Sequence, residues 1–278
     1  MTSSVAQKPE IIVIGCGFVG REVARQAAVT GSSALVTTRD RGRAGQLRVE
    51  GLAVHLLDGD EAWERLLARA TGSNCVITYP PEPNADRWAS DIAGRAHASV
   101  YISSTGVYGD TTGEIDDATP AAPSTERGLR RLASERRMRE GGAVVLRAPG
   151  IYGPGRGLHI RLRAGTFKMT GDGTSYLSRI HVADLAGLAL AALARGRPGT
   201  VHVVGDLMPS TQQQLVAFLC DRLGLPMPEQ AERARAHETL RSDRRIDPRP
   251  ALSALGYTLR YADYRDGYGD LLNSFASG

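Results

Sequence analysis

The sequence predicts an α/β protein organised on a doubly wound parallel sheet, and three observations carry that prediction. Short apolar runs alternate with helical stretches from Ile11 to Leu146, the pattern of strands covered by helices on both faces. The first run passes directly into Gly15, Gly17 and Gly20, spaced G-x-G-x-x-G, and then into an amphipathic helix to Gln26. Hydroxyls gather just after a later strand, where ligands bind in sheets of this kind. A length of 278 residues suits one large α/β domain, or one such domain with a small appendage.

Taken in order, the polar segment Met1 to Glu10 is expected to fray. The strand Ile11 to Ile14 then delivers the chain to the glycines. Gly15 allows a tight turn, Gly17 lets a pyrophosphate approach the backbone, and Gly20 lets helix and strand pack closely. Phe18 and Val19 open the helix and offer its N–H groups to the phosphates. A second strand, Ala34 to Thr38, ends at Arg39 and Asp40. At this point of a dinucleotide fold an arginine accommodates a 2′-phosphate and an acid binds the ribose hydroxyls. Arg39 comes first, so NADP is expected over NAD, with Asp40 as the residue that would favour NAD. Arg41 and Arg43 read as a solvated loop.

A third strand lies within Leu52 to Asp60 and ends at Asp58 and Gly59, where a carboxylate is placed to accept from the adenine amino group. Asp60 reads as the N-cap of a helix over Glu61 to Ala70. A fourth strand, Asn74 to Thr78, leads to Tyr79, Pro80 and Pro81, a stiff turn for the nicotinamide side. The fifth, Ser99 to Ser103, runs into YISSTGVYGD (Tyr101 to Asp110), and the sixth, Ala143 to Leu146, into LRAPGIYGPGR.

Composition excludes several classes. The net charge of +4 is scattered, which leaves no nucleic-acid footprint. Cys16, Cys75 and Cys220 have no metal-ligand spacing and fit a reducing compartment, and no metal site is expected. With no signal region and no apolar run of membrane-spanning length, a soluble cytoplasmic protein without a membrane partner is expected.

The set GCGFVG, SSTGVYG, LRAPGIYGPG and RIHVADLA resembles the extended or atypical short-chain dehydrogenase/reductase superfamily, the NAD-dependent epimerase/dehydratase group. The resemblance covers essentially the whole chain. It implies a Rossmann sheet that carries the cofactor and a smaller C-terminal substrate-binding region over it. Residues 1–150 would then be mainly dinucleotide-binding and 151–278 mainly substrate-binding, with about 178–204 returning to the first part. It also implies that the family's serine falls on Ser104, with Ser103 and Thr105 as neighbours that a slip of one position would promote instead; Ser103 is otherwise counted with the cofactor contacts and Thr105 with the substrate contacts. Pro149 and Tyr152 would lie in a loop passing the nicotinamide, and Arg179 would face the substrate pocket.

The family's Tyr-x-x-x-Lys is missing. Registering the following helix on Ala133, Ser134 and Glu135 puts Arg127 at the tyrosine and Arg131 at the lysine. They lie one helical turn apart and so share a face, but arginine is no general acid at neutral pH, its pKa exceeding about 12. A proton must come from elsewhere: Ser104, Tyr108, the substrate or water. Arg156 and His159 are candidates for an anionic substrate, His159 equally reading as a surface helix residue. His181 reads as structural, Asp184 as a helix cap, Thr166 to Tyr176 as a hairpin, and Ser210 as the cap of a helix to Leu223. In the basic segment from His237 to Gly267, Arg244 and Arg245 occupy a place where relatives carry a basic pair, and the later tyrosines read as packing. The function expected is NAD(P)-dependent oxidation or reduction of a small metabolite carbonyl or imine with a non-standard proton donor, in a possible homodimer. A non-catalytic NADP-binding regulator and a sugar-nucleotide epimerase/dehydratase-like enzyme remain open.

Overall fold

A computed structural model describes residues 8–231 and 243–276, the last three by backbone alone. Residues 1–7 and 237–242, on which the frayed N-terminus and the start of the basic segment fall, lie outside the described residues.

Seven strands form the main sheet: β1 (Ile11–Ile14), β2 (Ala34–Thr38), β3 (Ala53–Leu56), β4 (Asn74–Ile77), β5 (Ala98–Ser104), β6 (Val144–Ala148) and β7 (Val201–Val203). Their order is β7-β6-β5-β4-β1-β2-β3, and the registers of β3, β2, β1, β4 and β5 run parallel. The order reverses beside β1, as the doubly wound expectation requires. Apolar runs make these strands because both faces are covered: all four residues of β1 and all five of β6 are buried. Helix α1 (Phe18–Val29) packs through Val19, Gly20, Val23, Ala24 and Ala27, a stripe at 3.6-residue spacing. Helices α2 (Arg41–Val49), α3 (Asp60–Arg69), α4 (Pro83–Arg95) and α5 (Glu126–Glu140) follow their strands.

The chain divides into two compact units. The first takes the residues through Ser103, Arg130–Leu146 and Ala186–Val201, and the second takes Ser104–Leu129, Arg147–Leu185 and the residues from His202 on. The core of the first includes Ile12, Ile14, Trp63, Leu66, Ile77, Ile92, Tyr101 and Met138. That of the second includes Tyr152, Phe167, Leu215, Leu219, Tyr264, Tyr268 and Leu271, from α6 (Leu158–Arg163), α8 (Gln212–Leu223), α10 (Tyr264–Ala276) and the segments beside them. Between these lie α7 (Val182–Arg195), nearly all apolar as read, and α9 (Arg249–Leu255).

Several local expectations change. Arg41 and Arg43 open α2 rather than a loop, because Asp40 caps it by accepting from Arg43 N–H at 2.6 Å. Asp60 is the first residue of α3, whose N-cap is Gly59. Thr166 to Tyr176 forms no hairpin. Met169–Thr170 pairs with Gln230–Ala231 and Tyr176–Leu177 with Ser210–Thr211, so each short arm finds a distant partner. The cap of α8 is Thr211 rather than Ser210, in a capping box with Gln214. Asp184 does not cap its own helix. Buried in the first turn of α7, it accepts from Arg260 N–H at 2.7 Å, Tyr261 N–H at 3.0 Å and Tyr257 OH at 3.1 Å.

Candidate functional site

The glycine turn in the first unit is held by the strands on either side of β1. Gly15 N–H donates to Thr37 Oγ1 at 3.1 Å and Cys16 N–H to the Thr37 carbonyl at 2.9 Å. Thr78 OH donates to the Gly15 carbonyl. Gly15 has φ +96°, and a Cβ there would lie 3.0 Å from Tyr79 Cβ. A Cβ on Gly20 would lie 2.5 Å from the Gly15 carbonyl oxygen. Gly17 is different: a Cβ there meets nothing within 4 Å, so the turn is open at that residue. Gly17 also caps α1 without a side-chain bond, and no acid lies in the first turn at Phe18 and Val19. An open turn ending on the positive end of a helix fits a pyrophosphate. Cys16 is buried in it with its thiol pushed up to about 11 by desolvation, consistent with a small space-filling side chain.

Around the turn, Arg39 is exposed and paired loosely with Glu82 at 3.5 Å. Arg43 reaches the Cys16 carbonyl at 3.4 Å. Asp58, read as an adenine contact, accepts from Arg41 at 2.9 Å, next to the exposed Gly59. Tyr79 backs Gly15 and donates its OH to Asp86 at 2.9 Å, and Pro80 is exposed. Asp86 also accepts from Ser134 OH on α5. Arg131, at the family's lysine position, donates from Nη1 to Tyr101 OH at 3.0 Å. Burial pushes the Tyr101 hydroxyl up, and Arg131 partly offsets that shift. The Arg131 guanidinium is thus engaged with the interior of its own unit. Ser103 is buried, and its Oγ has no partner among the described residues.

The second unit holds the turn after β5. Ser104 caps a 3-10 turn over Thr105–Tyr108 by accepting from Gly106 N–H at 3.1 Å. Tyr108 is fully buried, and its OH accepts from Arg147 Nη1 at 3.1 Å. Tyr108, read as one source of the proton, is thus a buried hydroxyl held by a guanidinium. The Thr105 carbonyl accepts from Arg244 Nη1 at 2.7 Å. Arg127 is exposed in the first turn of α5, followed by Gly128, where a Cβ would lie 3.0 Å from the Gly106 carbonyl oxygen.

Three residues read as substrate contacts are buried. His159 is fully buried, not on the surface, and lies edge-on to Tyr268 with centroids 5.4 Å apart. Desolvation, with Arg163 nearby, pushes its pKa down. Tyr152 is buried and stacks on Tyr268 at 4.3 Å. Arg179 is also buried; it lies over the Tyr264 ring at 4.8 Å and donates to the Leu177 carbonyl at 3.1 Å. The residues after Pro149, which is half-buried, lead to the exposed Arg156. His181 is structural as read: buried, it packs on Tyr152 and Tyr261. Near Arg179, burial pushes the Asp206 carboxyl up to about 7.

Sequence reasoning missed Asp86, Arg147 and the contact of Arg244. Asp86 had a signal, since a carboxylate occupies the stripe Ala85, Ala89, Ile92, Ala93 that α4 buries. Among the described residues no cluster of three His, Cys, Asp or Glu could hold a metal, and no helix is long and apolar enough to cross a membrane.

The sheet order and the glycine turn define a Rossmann-like fold, and the model of the NAD dependent epimerase/dehydratase family matches residues 88–205 of this chain. The resemblance read from the four motifs holds. Protein YeeZ of Escherichia coli strain K12 is 28% identical over 249 residues, covering 79% of this chain and 86% of YeeZ. A 3-diazoavenalumate denitrifying reductase of a Streptomyces species is 28% identical over 241 residues, covering 81% of this chain and 70% of that protein. The solved structure of a functionally unknown conserved protein from Silicibacter pomeroyi DSS superposes with a TM-score of 0.83 at 27% identity, covering 96% of this chain and 99% of that one.

Proposed function

We propose that the protein is an NADP-preferring oxidoreductase that reduces a small metabolite carbonyl or imine, with Ser104 as its proton donor in place of the family's tyrosine. The observation that carries the reading is the glycine turn, closed to a Cβ at Gly15 and Gly20 and open at Gly17. Gly15, Gly17 and Gly20 with the N-terminus of α1 would hold the pyrophosphate, and Arg39 the 2′-phosphate. When bound, the reduced nicotinamide supplies a hydride. Asp40 caps α2 and is engaged with its own helix, which leaves the arginine to read the ribose end. The exposed Arg127 and Arg156 suit an anionic substrate. The Streptomyces relative is by name a reductase, which supports the reductive direction.

Arg39→Asp is expected to shift the NADPH:NADH affinity ratio toward NADH by about 30-fold, the scale of one charge-assisted hydrogen bond of about 2 kcal/mol. Fluorescence titration with both nucleotides measures it, and an unchanged ratio removes the assignment. The reaction is tested by NADPH oxidation with a panel of aldehydes, ketones, imines and an aryl diazo compound, the last prompted by the name of the Streptomyces relative. Ser104→Ala is expected to slow turnover of any active member more than ~10-fold. A second reading, a non-catalytic NADP-binding regulator, is favoured by the loss of Tyr-x-x-x-Lys; NADPH binding with no turnover across the panel would establish it over the first.

A further inference from the structure

We propose that Arg244 is a positioning residue that orients and polarises the Ser104 hydroxyl through a single peptide group, an inference that rests on reading Ser104 as the proton donor. The peptide between Thr105 and Gly106 is bonded at both ends. Its carbonyl accepts from Arg244 Nη1 at 2.7 Å, and its N–H donates to Ser104 Oγ at 3.1 Å. The chain therefore runs from guanidinium to carbonyl, through the amide, to the hydroxyl oxygen. A cation on the carbonyl strengthens the N–H as a donor, because hydrogen bonds in series polarise one another. A stronger donor on Oγ stabilises the negative charge that develops there when its proton leaves. With one lone pair of Oγ held by Gly106, the hydroxyl proton is directed away from the turn.

The surroundings are built for this contact. Arg244 is 6% exposed, so water screens its charge little. The strand Arg244–Ile246 is fixed against Gly113–Ile115, and Ile246 N–H donates to Ser178 Oγ at 2.9 Å. Side chains alternate along it: Arg245 lies over the Tyr176 ring at 5.0 Å while Arg244 goes to the turn. At the far end of the turn Arg147 holds Tyr108, and Gly109 turns the chain at φ +52°, where a Cβ would lie 2.3 Å from the Ala122 carbonyl oxygen. With Arg131 engaged by Tyr101, a buried cation reaches the carbonyl next to the serine from the C-terminal part of the chain instead of from the family's lysine position.

Arg244→Met and Arg244→Gln test the proposal, the second keeping a donor while removing the charge. In the protein without nucleotide or substrate, amide exchange at Gly106 is expected to quicken at least ~10-fold in Arg244→Met and less in Arg244→Gln, with core amides of both units unchanged. With a turned-over member of the panel, both variants are expected to lower kcat ~10-fold at unchanged substrate KM, and to have no further effect in a Ser104→Ala background. Equal losses in the two backgrounds, or a raised KM at intact kcat, overturn the proposal, the latter indicating direct substrate binding. If Ser104→Ala is slow but Arg244→Met is not, the proposal alone falls. If Ser104→Ala turns over normally, the proton-donor reading falls and takes the catalytic role with it, while Gly106 exchange still reports whether the guanidinium holds the turn. Should Arg244→Met fail to fold, Arg244→Gln decides by the same readouts.

Discussion

Gly20→Ala is expected to abolish nucleotide binding and to cost stability, whereas Gly17→Ala abolishes binding alone. The Gly20 methyl would sit 2.5 Å from the Gly15 carbonyl oxygen and 3.0 Å from Val13 Cγ1. The first of these neighbours is backbone, already fixed by Thr78, so no side-chain rotation relieves the contact. Either α1 moves off β1 or the Gly15 peptide turns, and both displace the N–H groups meant for phosphate. Overpacking of this kind costs about 1–3 kcal/mol. The Gly17 methyl meets no protein atom within 4 Å, so the fold tolerates it, but it would occupy the space through which the proposed pyrophosphate would approach. Each change is expected to weaken NADPH binding by roughly 100-fold or more, about 2.7 kcal/mol. Thermal melts and NADPH titrations of both variants separate the two causes. Wild-type affinity in Gly17→Ala would place the phosphates somewhere else.

Asp184→Ala is expected to produce the largest loss of stability among single changes in the second unit. Two backbone N–H groups and the Tyr257 hydroxyl converge on this fully buried carboxylate. Desolvation pushes its pKa up, and the three donors together with Arg260 oppose that shift, so the site is sustained by its bonds. Removing the carboxylate leaves three donors without their acceptor, the Tyr261 N–H buried and the other two partly so. A cost of about 3–5 kcal/mol follows, which at 2–4 °C per kcal/mol lowers Tm by roughly 10 °C. Asp184→Asn retains one acceptor oxygen and falls between the two. A loss in Asp184→Ala below about 1 kcal/mol would mean that the segment Tyr257–Tyr261 is held by its ring contacts instead.

Most of the sheet was legible in the sequence because parallel strands buried on both faces must be apolar throughout, and such runs stand out against polar helices. The glycine turn was legible for a similar reason, since its spacing reflects local backbone geometry. What escaped depends on partners distant in the chain. Thr166 to Tyr176 has the composition of a hairpin, yet its arms pair with Gln230–Ala231 and Ser210–Thr211. The cap of the following helix falls on Thr211, one residue beyond Ser210. His159 and Arg179 are polar residues that sequence reasoning assigns to solvent or ligand, but aromatic rings from α10 enclose them. The substitution of Arg127 and Arg131 for the family's dyad was visible at once. Nothing in the sequence indicated that Arg131 would turn to Tyr101, or that Arg244 would reach the carbonyl beside Ser104.

Each unit is assembled from three separate stretches, so the chain passes from one to the other five times, at Ser103, Leu129, Leu146, Leu185 and Val201. All five passages fall within β5, α5, β6, α7 and β7 rather than in linkers. No contiguous fragment contains either unit alone. During synthesis the first cannot complete its sheet until β7 has left the ribosome, and the strand Arg244–Ile246 that serves the Ser104 turn emerges later still. Domains commonly fold in order as they emerge; here the interleaving delays both units until most of the polypeptide exists. Exchange of either unit with a relative would likewise require three segments to be replaced at once across five junctions, which favours inheritance of the two as one evolutionary module.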